Sequence, residues 1–270
     1  MTNILNSFKL KGEVVIITGG AGLLGKEYSR AVAEAGGVPV VADIDEGQAT
    51  KVAKAVAAKT GGKTLGLYID VTNKSSVGSL VQKVIKQFGR IDGLVNNAGL
   101  DPKFDRSQAQ KHTNSFEEYP LELWNKSLAV NITGMFLCAQ AVAPAMLSQG
   151  KGSIVNISST YGLVGPDQRI YGKKSFKPII YSVSKSAVLG LTKYLATYWE
   201  GKNIRVNTLT PGGVYSNHDS DFVKRYSYRT PLGRMAKKHE YNAAIVFLLS
   251  GASTYMTGAN LVIDGGWTAW

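Results

Sequence analysis

The sequence predicts an α/β protein with one parallel sheet and helices on both of its faces. Short apolar runs alternate with stretches of helical spacing along the whole chain. Most of those runs are apolar almost throughout, as strands are when both sheet faces are covered. With 270 residues, 44% hydrophobic and 19% charged, the chain can build one sizeable core and is not of disordered composition. No internal repeat, low-complexity tract or Pro/Ser-rich linker divides it, so a single domain over residues 1–270 is expected.

The elements follow in order. Glu13–Thr18 reads as the first strand, and a glycine-rich turn leads from it into a helix over Leu23–Ala35. Val38–Asp43 is the second strand, with a helix over Glu46–Lys59 for which Asp45 is the expected N-cap. Thr64–Ile69 precedes a helix over Val77–Phe88. Ile91–Asn96 precedes a polar stretch, Leu100–Tyr119, and then a helix over Leu121–Leu147. Ser153–Ser158 precedes a second irregular stretch, Gly165–Ile179, and a helix over Tyr181–Trp199. Ile204–Leu209, a helix over Glu240–Leu249 and Ala259–Ile263 complete the pattern. Loops at the carboxyl ends of parallel strands surround the ligand crevice, so both irregular stretches are expected as walls or lids, with plain surface insertions as the alternative.

The turn reads Thr18-Gly19-Gly20-Ala21-Gly22-Leu23-Leu24-Gly25. Between a strand and a helix, such a turn aims backbone N–H groups and a helix N-terminus at one point, where a pyrophosphate is stabilised. Asp43 ends the second strand. A carboxylate there accepts hydrogen bonds from both ribose hydroxyls of an adenosine and repels a 2′-phosphate. No Lys or Arg lies within Thr18–Gly25 or directly follows Asp43, so NAD is expected over NADP.

Tyr181 and Lys185 stand four apart at the start of a helical pattern, on one face. A phenol of pKa about 10 is a poor acid–base group at neutral pH, and an adjacent ammonium favours its phenolate. Ser159, ending a strand, could donate to a substrate oxygen on which negative charge develops.

Together these motifs resemble the short-chain dehydrogenase/reductase family along nearly the full chain. The resemblance rests on Thr18-Gly19…Gly25, Asp70-Val71, Asn96-Asn97-Ala98-Gly99, Asn131, Ile157-Ser158-Ser159, Tyr181-x-x-x-Lys185, Pro211-Gly212 and Asp264-Gly265-Gly266. It implies a single-domain Rossmann fold, a seven-stranded sheet of order 3-2-1-4-5-6-7 and a nicotinamide cofactor. Tyr181 would then transfer the proton, Lys185 would support it and hold the nicotinamide ribose, and Ser159 would orient the substrate. Asn131 would complete a water-linked proton relay. Gly19, Gly22, Leu23, Leu24 and Gly25 would cradle the cofactor, Asp70 and Val71 its adenine, and Asn97, Ala98 and Gly99 its centre. Pro211, Gly212, Val214 and Ser216 would face the nicotinamide end. The resemblance also implies a third substrate loop near 213–238 and a homo-oligomer, commonly a tetramer, or a dimer. More weakly, the whole chain, including Gly265–Trp270, resembles bacterial reductases of surface-glycan or flagellin-glycan synthesis.

Three departures stand out. Leu23 occupies the position where the common dehydrogenase turn has glycine, and Gly22 gives a spacing closer to the sugar-nucleotide epimerase branch. Ser159 and Tyr181 are 22 apart, farther than usual. Ser216 replaces the usual threonine and keeps its hydroxyl.

Other residues have plainer readings. Cys138 is expected as a packed thiol, and a single cysteine excludes an internal disulfide framework. His112, His218 and His239 have no metal-ligand spacing, so no metal site is expected. Tyr171 lacks a lysine four residues on and is set aside as the catalytic phenol. Tyr194, Tyr198 and Trp199 are expected in packing or a subunit contact, and Trp267 and Trp270 in a subunit contact or over a neighbour's site. No signal peptide or span-length apolar stretch is read, so no membrane association and a cytoplasmic protein are expected.

The formal net charge is +12. Arg169, Lys173, Lys174 and Lys177 oppose only Asp167. Lys224, Arg225, Arg229, Arg234, Lys237 and Lys238 oppose Asp219, Asp221 and Glu240. A cationic mouth would draw an anionic or acidic-sugar substrate, and a solvated basic surface is the bland alternative. The leading function is therefore an NAD-dependent alcohol/ketone oxidoreductase acting on a small molecule. A sugar-nucleotide epimerase or dehydratase is the second reading. A non-enzymatic dinucleotide sensor or nucleic-acid binder is the third, and the Ser159/Tyr181/Lys185 set argues against it; no nucleic-acid partner is expected.

Overall fold

Strands β1 (Val14–Thr18), β2 (Val38–Asp43), β3 (Leu65–Tyr68), β4 (Gly93–Asn96), β5 (Gly152–Ile157), β6 (Ile204–Pro211) and β7 (Asn260–Ile263) pair in parallel. They form one sheet of order β3-β2-β1-β4-β5-β6-β7, as the resemblance implied. The computed structural model describes residues 3–101, 115–171 and 176–270. Helices α1 (Ile4–Ser7), α2 (Leu23–Glu34), α3 (Glu46–Thr60), α4 (Lys74–Phe88), α5 (Leu121–Leu128), α6 (Gly134–Gln149), α7 (Ile179–Tyr198), α8 (Ser220–Arg229) and α9 (Asn242–Leu249) accompany it.

Alternate side chains of each strand enter opposite cores, which is why the strands are apolar throughout. Val14 and Ile16 of β1 join Val84 of α4, Val142 of α6 and Leu195 of α7 on one face. Val15 and Ile17 join Val32 of α2 and Leu248 of α9 on the other. Pro39 is tolerated inside the sheet because β2 begins to pair with β3 only at Val40↔Leu65. The chain steps from β3 at one edge to β4 beside β1, so the order reverses between β1 and β4. A crevice opens there at the carboxyl ends of the strands.

Helices α4 and α8 differ from the sequence reading, and the short α1 was not part of it. Helix α4 starts one turn earlier than expected, because the Asn73 side chain accepts from Ser76 N at 3.0 Å and caps it. Helix α8 lies in a stretch read as loop; Asp219 caps it by accepting from Phe222 N at 2.8 Å, and it buries Phe222 and Tyr226. Helices α5 and α6 together form the helix expected over Leu121–Leu147, continuous through a π-helical turn over Ala129–Thr133. The joined helix, Leu121–Gln149, is the one among the described residues long and apolar enough to cross a bilayer. Its apolar side, with Cys138, Ala139, Val142 and Met146, is packed into the core against the sheet.

Asp92, just before β4, illustrates how the amino ends of the central strands are tied. Its carboxylate accepts from Val14 N at 2.9 Å and from Arg90 at 2.7 and 2.6 Å, and Lys151 lies 3.5 Å away. Burial pushes the carboxyl up, but Arg90 and the Val14 N–H outweigh it and hold it below its ordinary range. The contribution is therefore present above the ordinary carboxylate range and is lost as pH falls through the lowered value. Asp92→Ala leaves a buried N–H unsatisfied and should cost about 3 kcal/mol in urea denaturation at pH 7.

Candidate active site

The turn after β1 is shaped by close backbone approach. Gly19 has φ +61°, and a Cβ there would stand 2.9 Å from Ala98 Cα. A Cβ on Gly25 would stand 2.2 Å from Gly19 O, so this first turn of α2 packs directly on the loop. Thr18 and Asn97 lock the loop to the end of β4. Asn97 Nδ2 donates to Thr18 O and Gly19 O at 3.0 Å each, and Thr18 Oγ1 accepts from Ala98 N at 3.0 Å. Asp43 reaches across from β2: its Oδ2 accepts from Ala21 N at 2.9 Å and its Oδ1 from Asp45 N at 3.2 Å. Asp45 caps α3, as expected.

A backbone held open by glycine, a helix N-terminus and a carboxylate at the neighbouring strand end fit a dinucleotide. Asp70, after β3, accepts from Thr72 N at 2.9 Å, and Val71 packs beside Gly134. Gly22 precedes α2 as its N-cap with no side-chain bond, so the departure from the common glycine pattern leaves the helix start intact.

A cavity of about 450 Å³ continues from this turn. Leu23, Leu24, Asn97, Gly99, Ser159, Tyr181, Lys185, Pro211, Gly212, Val214 and Ser216 line it. The remaining expected residues, among them Asp43, Asp70, Val71, Ala98 and Asn131, stand outside this lining.

Ser159, Tyr181 and Lys185 converge on the cavity. Ser159 follows β5; its hydroxyl accepts from Tyr161 N at 3.3 Å and stands near enough to the Tyr181 phenol to lower its pKa. Its neighbour Ser158 is turned inward and donates to Lys185 O at 2.7 Å, so only the second serine serves the cavity. Lys185, buried on α7, donates from Nζ to Ile157 O at 2.8 Å and lies 5.9 Å from the Tyr181 ring centre. Burial lowers the Lys185 ammonium to about 8; Asp101 opposes the shift and Lys177 adds to it. Burial raises the Tyr181 phenol, Asp101 raises it further, and the Ser159 hydroxyl opposes them.

Asn131 sits in the π-helical turn, where the widened coil turns its side chain inward. Its Oδ1 accepts from Leu100 N at 2.7 Å, and its Nδ2 donates to Leu100 O and Ser184 Oγ at 3.0 Å each. A Cβ on Gly99 would lie 3.7 Å from Asn131 Oδ1 and 3.6 Å from Lys185 Nζ, so both side chains border the same glycine.

The cavity wall was largely missed in the sequence. Tyr161, Phe222, Tyr226, Met235 and Trp267 form an aromatic cluster with Tyr171 and Tyr181. Tyr171 donates its hydroxyl to Tyr161 Oη at 2.8 Å, which makes it a wall residue. His218 stacks on Phe222 at 5.1 Å and lines the cavity. Trp267 corrects an expectation: it is buried within its own chain, stacked on Tyr226 at 4.2 Å, because that ring and Tyr161 offer it a complete apolar seat. Trp270 is exposed. Trp199 is buried, whereas Tyr194 and Tyr198 are exposed and stacked on each other. Cys138 is buried, which pushes its thiol up to about 12 and leaves it unreactive. Repeated Tyr and Phe through 161–226 were the available signal for this wall.

Much of the positive charge near the mouth is paired. Arg169 and Arg229 share Asp167, Arg234 engages Glu240 at 2.7 and 2.6 Å, and Lys238 reaches Glu27 at 3.2 Å. Lys177 is buried against Asp101, which the sequence reading had passed over. Lys173, Lys174 and His112 lie outside the described residues.

A family model described as enoyl-(acyl carrier protein) reductase matches residues 20–268. The D-threitol dehydrogenase of Mycolicibacterium smegmatis is 36% identical over 272 residues, covering 97% of this chain and 95% of that protein. A crystal structure of a short-chain type dehydrogenase/reductase from Mycobacterium marinum superposes with a TM-score of 0.87 at 33% identity, covering 100% of both chains. A gluconate 5-dehydrogenase from Burkholderia cenocepacia, crystallised with NADP and tartrate, superposes with a TM-score of 0.88 at 30% identity, covering 99% of this chain and 100% of that one.

Proposed function

Because this chain belongs to the short-chain dehydrogenase/reductase family, we propose that it interconverts a secondary alcohol and a ketone with NAD(H) as its preferred cofactor. The observation that carries this reading is the convergence of Ser159, Tyr181 and Lys185 on a cavity continuous with the glycine turn.

In the direction of reduction, Ser159 orients the carbonyl oxygen and Tyr181 gives it a proton. In oxidation, Tyr181 takes the proton from the alcohol. Lys185 steadies the charge left on the phenol, and Asn131 and a bridging water carry the proton onward. The bound nicotinamide supplies or accepts the hydride at the carbinol carbon.

Asp43 supports NAD, since a carboxylate at that strand end meets two ribose hydroxyls and repels a phosphate. A fluorimetric screen of ketones and alcohols with NADH and NADPH tests this. NADH should be preferred, and Asp43→Ser should lower kcat/KM with NADH by about 10- to 100-fold, the value of hydrogen bonds to a charged group. A preference for NADPH in the unaltered enzyme would overturn the role of Asp43.

The epimerase reading leaned on the glycine spacing and the nucleic-acid reading on net charge. The relatives are dehydrogenases, and neither alternative is favoured. A homo-oligomer remains part of this proposal. Exposed Phe136, Leu147, Tyr194 and Tyr198 on the long helix and α7 support it. Light scattering after size exclusion should give a dimer or tetramer; a monomer at micromolar concentration would count against it. A cytoplasmic location belongs to the same reading.

A further inference from the structure

The cavity holds a second charged group that the proton-transfer set does not use. Lys177, from the stretch before α7, is buried with its side chain only 6% exposed. Its ammonium is hydrogen-bonded to the carboxylate of Asp101, which follows β4. It also lies 3.8 Å from the Tyr181 ring centre and 5.8 Å from that of Tyr161. Both Lys177 and Asp101 line the cavity beside Ser159 and Tyr181. A buried ion pair is costly and is weak evidence of stabilisation; placed against a reacting group, it is a candidate for function.

We propose that Asp101 and Lys177 bind a second hydroxyl group on the carbon next to the reacting carbinol, so that the substrate is an uncharged vicinal diol or polyol, or its hydroxy ketone. This rests on the oxidoreductase reading above and narrows it.

Charge and donor count both favour a hydroxyl at this pair. The pair is neutral as a unit, so it adds nothing to the attraction that the Lys185 ammonium exerts on an anion. A substrate carboxylate placed on Lys177 would also face Asp101 at short range in a low-dielectric pocket, where like charges repel strongly. A hydroxyl satisfies both partners at once, donating to Asp101 and accepting from Lys177. The two oxygens of a vicinal diol are separated by about a hydrogen-bond length, roughly 2.8 Å, and Lys177 rests 3.8 Å from the centre of the ring that carries the reacting phenol, within reach of the neighbouring oxygen of one small molecule. The faces of Tyr161, Tyr171 and Phe222 offer apolar contact to the C–H side of such a molecule. The cavity of about 450 Å³ has to admit the nicotinamide end as well, which limits the substrate to a small molecule.

The test is a matched panel with NAD: butane-2,3-diol, butan-2-ol and 3-hydroxybutanoate, and the cyclic set cyclohexane-1,2-diol, cyclohexanol and 2-hydroxycyclohexanecarboxylate. The diol of at least one set should exceed both of its partners in kcat/KM by about 100-fold or more, because a site built to bond a hydroxyl is left unpaired by the others. Lys177→Met and Asp101→Asn should each shrink that ratio to below about tenfold. The loss should fall mainly on the diol's KM and on its binding to the NAD-loaded protein by saturation-transfer NMR.

If single alcohols or hydroxy acids turn over as well as diols or better, the assignment is wrong while the oxidoreductase reading stands. An unchanged ratio in both variants would also overturn it. If no alcohol in the panel or in the wider screen is turned over with either cofactor, the oxidoreductase reading fails and this one with it.

Discussion

Tyr181→Phe should lower kcat by about a thousandfold or more while leaving NADH affinity within a few-fold. General acid–base groups contribute about 10²–10⁴ in rate, and here one phenol serves both directions. The substitution removes one oxygen from a ring that Lys177 covers and that Ser159 adjoins, so the wall of the cavity keeps its shape. Stopped-flow or initial-rate turnover gives the first quantity and NADH fluorescence titration the second. Turnover within tenfold of the unaltered enzyme would show that the proton moves by another route. Loss of NADH binding would instead assign Tyr181 to the cofactor site.

Lys185→Met should abolish most activity and yet stabilise the ligand-free protein at pH 7. The buried ammonium is lowered from its ordinary 10.5 to about 8, because burial disfavours the charged form. Between those two values the unfolded chain binds more protons than the folded one, so the stability of the unaltered protein rises with pH over that window. Below about 8 the lysine is charged in both states and the burial penalty is complete, about 3 kcal/mol at 1.36 kcal/mol per pKa unit. Methionine removes that penalty but leaves Ile157 O without its 2.8 Å partner, which costs about 1 kcal/mol or more. Urea denaturation should therefore show a net gain of about 1–2 kcal/mol at pH 7, shrinking to nothing or reversing near pH 10.5. A destabilised variant at pH 7 would mean that the ammonium is better solvated in the native protein than its surroundings imply.

Both predictions concern residues that spacing alone had singled out. Tyr181 and Lys185 sit one helical turn apart, and a turn of helix is a local matter. Thr18–Gly25 was legible for the same reason: the glycines answer to contacts inside one strand–turn–helix unit, such as the 2.2 Å approach at Gly25. Asn131 was legible only through family resemblance. Its inward aim depends on a π-helical turn that no periodicity announces. Helix α8 was hidden because its mean composition is polar, and Phe222 and Tyr226 are the residues it buries.

Strand periodicity, the glycine turn and the paired phenol and ammonium were written in residues that touch along the chain, and these decide the architecture and the reaction class. Which charges cancel was settled in space. Asp101 and Lys177 lie 76 positions apart and meet only when the loop after β4 and the entry to α7 fold over one cavity. Trp267 finds its seat on Tyr226 by the same convergence. Backbone geometry is governed by neighbours a few bonds away, whereas the energy of a buried charge or ring depends on everything packed around it. Substrate selection therefore had to wait for the folded cavity.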